Sequence, residues 1–165
     1  MAASAIGRWI WAAPAVFVVH DGEELATMIP WLREHRDALP DIVRSAADIS
    51  TRQLALAMLL LLAGLLGAAW DGARKARLGT RPTVFLLLAG ALAGNGVSHL
   101  GQALLFRGYT PGLVTALLVV LPYGWGLGRQ LDSARIVSPR GWAGFVAFGV
   151  VLQVPIILAT LLLAR

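Results

Sequence analysis

Apolar and polar positions fall along this chain in long blocks. Five apolar stretches run from about Trp9 to Ile29, Leu54 to Trp70, Pro82 to Phe106, Gly112 to Gly128 and Trp142 to Ala164. The hydrocarbon of a bilayer is about 30 Å thick and a helix rises about 1.5 Å per residue, so roughly 20 apolar residues cross it. The blocks therefore predict an all-α, polytopic membrane protein, a bundle of five transmembrane helices in a single domain over 1–165. The second stretch is almost pure Leu, Ala, Gly and Met and reads as lipid-facing scaffold. Between the first two stretches, the polar piece Pro30 to Thr51 sets Ile42, Val43, Ala46 and Ile49 at helical spacing among Asp41, Arg44, Ser45 and Asp48. That pattern predicts a short helix lying on the membrane interface, with a solvated loop as the alternative. His35, among charges, reads as a surface residue.

Composition agrees with this pattern. Hydrophobic residues make up 58% of the 165 residues and charged ones 14%, against about 25% charged in soluble domains. An ordinary soluble enzyme is excluded, and so are a disordered and a collagen-like chain. Mean hydropathy is +0.72. The net charge of +5 does not point to nucleic acid, because the basic residues occupy gaps between apolar blocks rather than a stripe with interleaved aromatics. Thirteen of the 14 basic residues are Arg and one is Lys75, which with abundant Ala, Gly and Leu suggests GC-rich, bacterial coding. There is no cysteine, hence no disulfide or thiolate metal site.

The first stretch does not read as a signal peptide, since only Arg8 precedes it and acidic residues interrupt it without an A-x-A pattern. Arg8, Arg74, Lys75, Arg77, Arg81, Arg129, Arg135 and Arg140 would lie on one side, eight basic residues against six on the other. The expected topology is N-terminus cytoplasmic and C-terminus outside the cell membrane. Trp9, Trp11, Trp70, Trp125 and Trp142 would then form a belt at the inner interface.

Polar residues inside apolar stretches carry the chemistry, because a charge at mid-membrane costs about 2.5–3.5 kcal/mol even on lenient scales. The first stretch holds His20, Asp21, Glu23 and Glu24. At about 100° per residue, Glu24 lies about 40° from His20 and Glu23 about 60° to its other side, so the three share a face, with Asp21 peripheral. The third stretch carries Asn95, Ser98, His99 and Gln102, with Asn95 and His99 one turn apart. Gly90 and Gly94 form G-x-x-x-G, followed by Gly96 and Gly101, which suits a central, closely packed helix. Counted from the same side, His20 and Glu24 lie about 18 and 24 Å deep and Asn95 and His99 about 20 and 26 Å, with Gln153 about 17 Å from the start of the fifth stretch. The two polar clusters should meet in the outer half of the bilayer.

His20-Asp21-Gly22-Glu23-Glu24 spells H-x-x-E-E, and together with His99 and the turn Arg107-Gly108-Tyr109-Thr110-Pro111-Gly112 it resembles the HXXEE family of small bacterial membrane proteins over roughly residues 16–125. The resemblance implies a multi-pass protein whose His and Glu residues matter. It brings no activity with it.

Three readings of the residues follow. In the first, His20, Glu24 and His99 ligate a divalent metal such as zinc, iron or manganese, Glu23 bridges or supports, and Asn95 hydrogen-bonds; the catalytic set is Glu23, Glu24, His20, His99 and Asn95, acting on a lipophilic small molecule. In the second, Glu23 and Glu24 share a proton that His20 or His99 shuttles, as in a metal-free isomerase or cyclase of a lipid or terpenoid. In the third, the cluster is structural or marks a proton or ion path. Membrane lipid is the expected partner, and nucleotide or serine-hydrolase motifs are absent. Tyr109 is expected at the site mouth, Pro14, Pro122 and Pro155 at kinks, Gly124 and Gly128 at a second packing seam, and Tyr123 at a pocket wall.

Overall fold

A computed structural model of the chain describes residues 2–39, 44 and 49–164. Every regular element among them is helical. α1 spans Ala2–Glu34, a 3-10 turn Arg36–Ala38, α2 Thr51–Arg77 and α3 Thr83–Phe106. A fourth run, 113–133, comprises α4 (Leu113–Thr115), a π-helical segment (Ala116–Val120) and α5 (Leu121–Ser133). α6 is Pro139–Leu163. The centre of the expected interfacial helix, Ile42, Val43 and Ala46, lies outside the described residues.

Local chemistry sets the boundaries. Ser50 and Ser138 cap α2 and α6, each hydroxyl accepting from the backbone N–H three residues on, at 3.1 and 3.2 Å. Pro139 then takes the first helical position, where its missing N–H costs nothing. Pro122 follows the π segment directly. Its ring displaces the carbonyl of residue 118 and it offers that carbonyl no N–H, so the turn before it widens. Pro30, expected just beyond the first span, does not end α1. The last turn is anchored by Trp31, whose indole N–H donates to the Tyr109 carbonyl at 2.9 Å and whose ring meets Phe106 edge-on and stacks on His35. His35 is thus held against α1 and is not a free surface group.

Three helices, α2, α3 and α6, are long and apolar enough to cross a membrane. Large side chains such as Leu104 and Leu163 stand 80% and 78% exposed. Apolar surface on this scale belongs against lipid or another protein. α2 buries Leu54, Ala57, Leu65 and Ala69 on one face and turns Leu59, Leu60, Leu66 and Trp70 outward, as a scaffold helix should.

α3 is central, touching every other long helix. Its crossing with α6 is built on glycine: a Cβ on Gly149 would lie 2.4 Å from the Gly90 carbonyl oxygen, and one on Gly94 would lie 2.8 Å from the Val146 carbonyl oxygen. Backbones this close need both glycines of G-x-x-x-G and a third on the partner. Gly96 likewise admits Val120 and Leu121 of the fourth run. Gly124 and Gly128 form the second seam, against Ala93 and the Trp142 indole, and Trp142 donates to the Gly124 carbonyl at 3.1 Å.

The seams correct two expectations. Trp142 is buried and Trp9 packs on Gly126 and the Tyr123 ring, so both serve helix contacts, whereas Trp70 and Trp125 remain exposed as a belt requires. Tyr123 does not line the cavity between α1, α2, α3 and α6; buried, it donates its hydroxyl to the Trp9 carbonyl at 3.0 Å and so also serves a helix contact.

The densest core, around Ile6, Ile10, Phe85, Leu86, Leu127 and Leu131, fills one end of the bundle. At that end Ile6, the α2–α3 turn and the α5–α6 turn surround a common recess lined by Arg81 and Arg135. Toward the other end, between α1, α2, α3 and α6, the packing gives way to a cavity of about 330 Å³. The polar residues of α1 and α3 form part of its wall.

Candidate functional site

His20, Glu24, Asn95 and His99 converge, although the first two lie more than 70 residues before the last two in the chain. The cause is the register of α1 against α3. His20 and Glu24 stack one turn apart on the inward face of α1, and Asn95 and His99 do the same on α3. Glu24 Oε1 approaches His99 Nε2 to 3.0 Å and His20 Nε2 to 3.9 Å. The two imidazoles meet edge to face with centroids 4.9 Å apart. Both histidines are buried, and Glu24 is largely so.

The fourth run closes the site from above. Gly112 sits at φ +83°, where a side chain is strained, and a Cβ there would lie 2.7 Å from His99 Cε1 and 2.9 Å from His20 Cε1. No other residue fits a backbone resting on two imidazole edges. One turn on, Thr115 fixes His20. Its hydroxyl donates to Glu23 Oε2 at 2.6 Å, so its oxygen is left to accept from His20 Nδ1–H at 2.8 Å. The chain of donors places the proton on Nδ1 and leaves the Nε2 lone pair facing the site. Asn95 Nδ2 donates to that lone pair at 3.0 Å.

Glu23 has a different task from its neighbour. Its oxygens accept from the Val114 and Thr115 backbone N–H groups at 3.2 and 2.7 Å, from the Thr115 hydroxyl, and from the Tyr109 hydroxyl at 2.8 Å. It therefore caps the N-terminus of the fourth run from another helix, filling orphan donors and complementing the helix dipole. Consecutive helical residues diverge by about 100°, so Glu23 reaches the fourth run while Glu24 reaches α3. No hydrogen bond joins the two carboxyl groups that were expected to share a proton. Tyr109 does reach the mouth of the site, through Glu23. Partial burial, reinforced by the Glu23 carboxylate and opposed by a hydrogen bond with Thr27, pushes its phenol up from the ordinary value, so it stays a donor at neutral pH.

His20, Glu24 and His99 form a group able to hold a metal ion, with their candidate ligand atoms all within 4.8 Å of one another. Bonds of about 2.0–2.2 Å to a shared ion place ligand atoms about 3–4 Å apart, so a small contraction suffices. His99 supplies an independent sign. Neither ring nitrogen has a hydrogen-bond partner, although the ring is almost fully buried; the 3.0 Å approach to Glu24 lies outside hydrogen-bond geometry. A buried imidazole is seldom left so. Two histidines and one carboxylate match the donor set of open catalytic zinc and non-haem iron sites.

Three contributors escaped the sequence reading. Thr115 is a lone hydroxyl in an apolar run, and Gly112 looks like turn punctuation. Asp21, expected at the periphery, is 8% exposed and lines the cavity beside Glu24, Asn95 and His99. Gln153 lines it from α6 and donates to the Ser98 hydroxyl oxygen at 2.5 Å.

No curated protein and no solved structure matches the chain. The family described as "protein of unknown function with HXXEE motif" matches residues 11–126, which contain the signature His20 to Glu24, His99, and both Gly112 and Thr115. With most of its length covered and every residue of the metal-ligating group inside the match, the chain belongs to the HXXEE family.

Proposed function

We propose that the protein is a membrane-embedded, metal-dependent enzyme acting on a lipophilic small molecule held in the cavity. The observation that carries this reading is His99: a buried imidazole with both nitrogens unpartnered, beside a second imidazole and a carboxylate. His20 Nε2, Glu24 and His99 would hold a divalent ion such as zinc or iron, and Asn95, which donates to the Nε2 lone pair of His20 in the ion-free site, would give that lone pair up to the ion. The ion supplies Lewis acidity toward a substrate oxygen. The Thr115 and Glu23 chain keeps His20 in the ligating tautomer, as supporting partners of metal-bound histidines generally do. The cavity is largely aliphatic and reaches from the site toward α2 and α6, so the substrate's apolar body lies along it.

In this reading α1 and the run 113–133 also cross the cell membrane. α1 is long enough, at 33 residues, and His20, Asp21, Glu23 and Glu24 within it are turned to protein, while the exposed Arg8, Arg33 and Glu34 lie toward its ends. The run of 21 residues from 113 to 133 reaches about 30 Å. In this reading the N-terminus lies in the cytoplasm and the site nearer the outer face, which the basic turns at the packed end support.

Metal analysis of detergent-purified protein tests the reading. About one transition-metal ion per chain is expected in the native protein after zinc or iron reconstitution, and a small fraction of that in His99→Ala and Glu24→Gln. Metal content near zero in the native chain, or unchanged in both variants, overturns it.

A further inference from the structure

The polar wall of the cavity says what headgroup it accepts. Gln153 is the telling residue. The Ser98 hydroxyl donates to the Gly94 carbonyl at 3.1 Å, so its oxygen must accept from Gln153 Nε2, which also donates to the Val150 carbonyl at 3.1 Å. These bonds fix the orientation of the amide. They leave Gln153 Oε1 buried, unpartnered and at the cavity wall. Asp21 adds a buried carboxyl group on the same wall, with no hydrogen-bond partner in the structure. Glu24 adds a second. Among the described residues, none that lines the cavity is Lys or Arg.

The wall therefore offers acceptors and lacks fixed positive charge. A buried acceptor is costly to leave unmade, and a ligand that brings a donor removes that cost. A carboxylate or phosphate brings only acceptors, so it leaves Gln153 Oε1 without a partner. We propose that the cavity takes a neutral lipophilic alcohol, its hydroxyl donating to Gln153 Oε1 and its hydrocarbon body lying among Leu61, Leu88 and Ile157. The inference rests on the metal reading in one respect: a divalent ion at His20, Glu24 and His99 would stand beside the cavity and repel a long-chain ammonium.

Four ligands with one chain test this: 1-dodecanol, dodecanoate, dodecyl phosphate and dodecylamine, titrated into the full-length protein in non-ionic detergent and followed by native mass spectrometry. Dodecanol should bind tighter than the amine, and removing the Gln153 acceptor should cost dodecanol more than it costs either anion. Gln153→Leu should weaken dodecanol about tenfold, as loss of a buried hydrogen bond does, while metal content stays at the native level. Equal or tighter binding of the amine to the native protein overturns the proposal, as does native-like dodecanol binding by Gln153→Leu or an equal loss for dodecanoate in that variant. Metal content of the same samples separates the two readings: an ion without alcohol preference defeats the headgroup assignment alone, and alcohol preference without an ion defeats the metal reading alone.

Discussion

Thr115 decides how His20 can act. Without its hydroxyl, the Nδ1 proton loses its acceptor, Glu23 loses a donor, and nothing selects the tautomer that turns Nε2 inward. Thr115→Val keeps the shape and removes the hydroxyl. Metal affinity, measured by chelator competition, is expected to fall about 10–100-fold, the usual effect of losing a partner that orients a ligating histidine. Thr115→Ser should restore it to within a few-fold. A valine variant with native affinity would show that the hydroxyl has no part in orienting His20. At this scale the sequence was legible where residues repeat on a helix turn. His20 with Glu24, and Asn95 with His99, declare a common face by spacing and a common level by depth. Thr115 and Gly112 declare nothing, because their roles depend on how close a third helix approaches.

Elements were legible to the extent that apolarity defines them. All five blocks became helical, with ends within a few residues for the third and with extensions of several residues for the first and second. Inter-helix contacts were only half visible. G-x-x-x-G marked α3 as a packing surface, but Gly149 on α6, a single glycine in an apolar run, gave no sign that it was the partner. Gly149→Ala puts a methyl group against the Gly90 carbonyl, and neither backbone can yield without parting the helices. A loss of about 1–3 kcal/mol is expected, the range for overpacking a tight contact, measured by unfolding in mixed detergent micelles. Gly144→Ala, one turn and a little more away with open space around its Cα, is the control and should be neutral or slightly stabilising. Equal effects at the two positions would deny the crossing. The π segment was likewise beyond the sequence: Pro122 announced a disturbance, and only the packed helix shows that a widened turn lies just before it.

Across the whole molecule, one end is filled and the other is hollow. Ile10, Phe85, Leu86, Leu127 and Leu131 close the basic end, where the chain's short turns gather. The site end spends that packing on a cavity. α6 belongs to both halves. Gly149 ties it to α3 near its middle, and beyond that point Pro155 deletes one amide from the helical ladder, leaving the Val151 carbonyl without its usual donor. Past Gly149, the side-chain bonds that hold α6 to its neighbours are Gln153 to Ser98 and Gln53 to the Leu161 carbonyl, at 2.5 and 2.9 Å. Helix ladders with a missing amide and few buried contacts open locally at low free energy. Amide hydrogens of residues 156–163 should therefore exchange with deuterium markedly faster than those of 86–96 in α3, by at least about tenfold in detergent or nanodisc, since each factor of ten reflects only about 1.4 kcal/mol of opening free energy. Uniform protection along both helices would contradict this. If residues 156–163 open as expected, Gly149 acts as a fulcrum, one arm of α6 moving while the other stays seated, and a molecule dissolved in the bilayer would gain a sideways route to Glu24 and His99 that never passes through water.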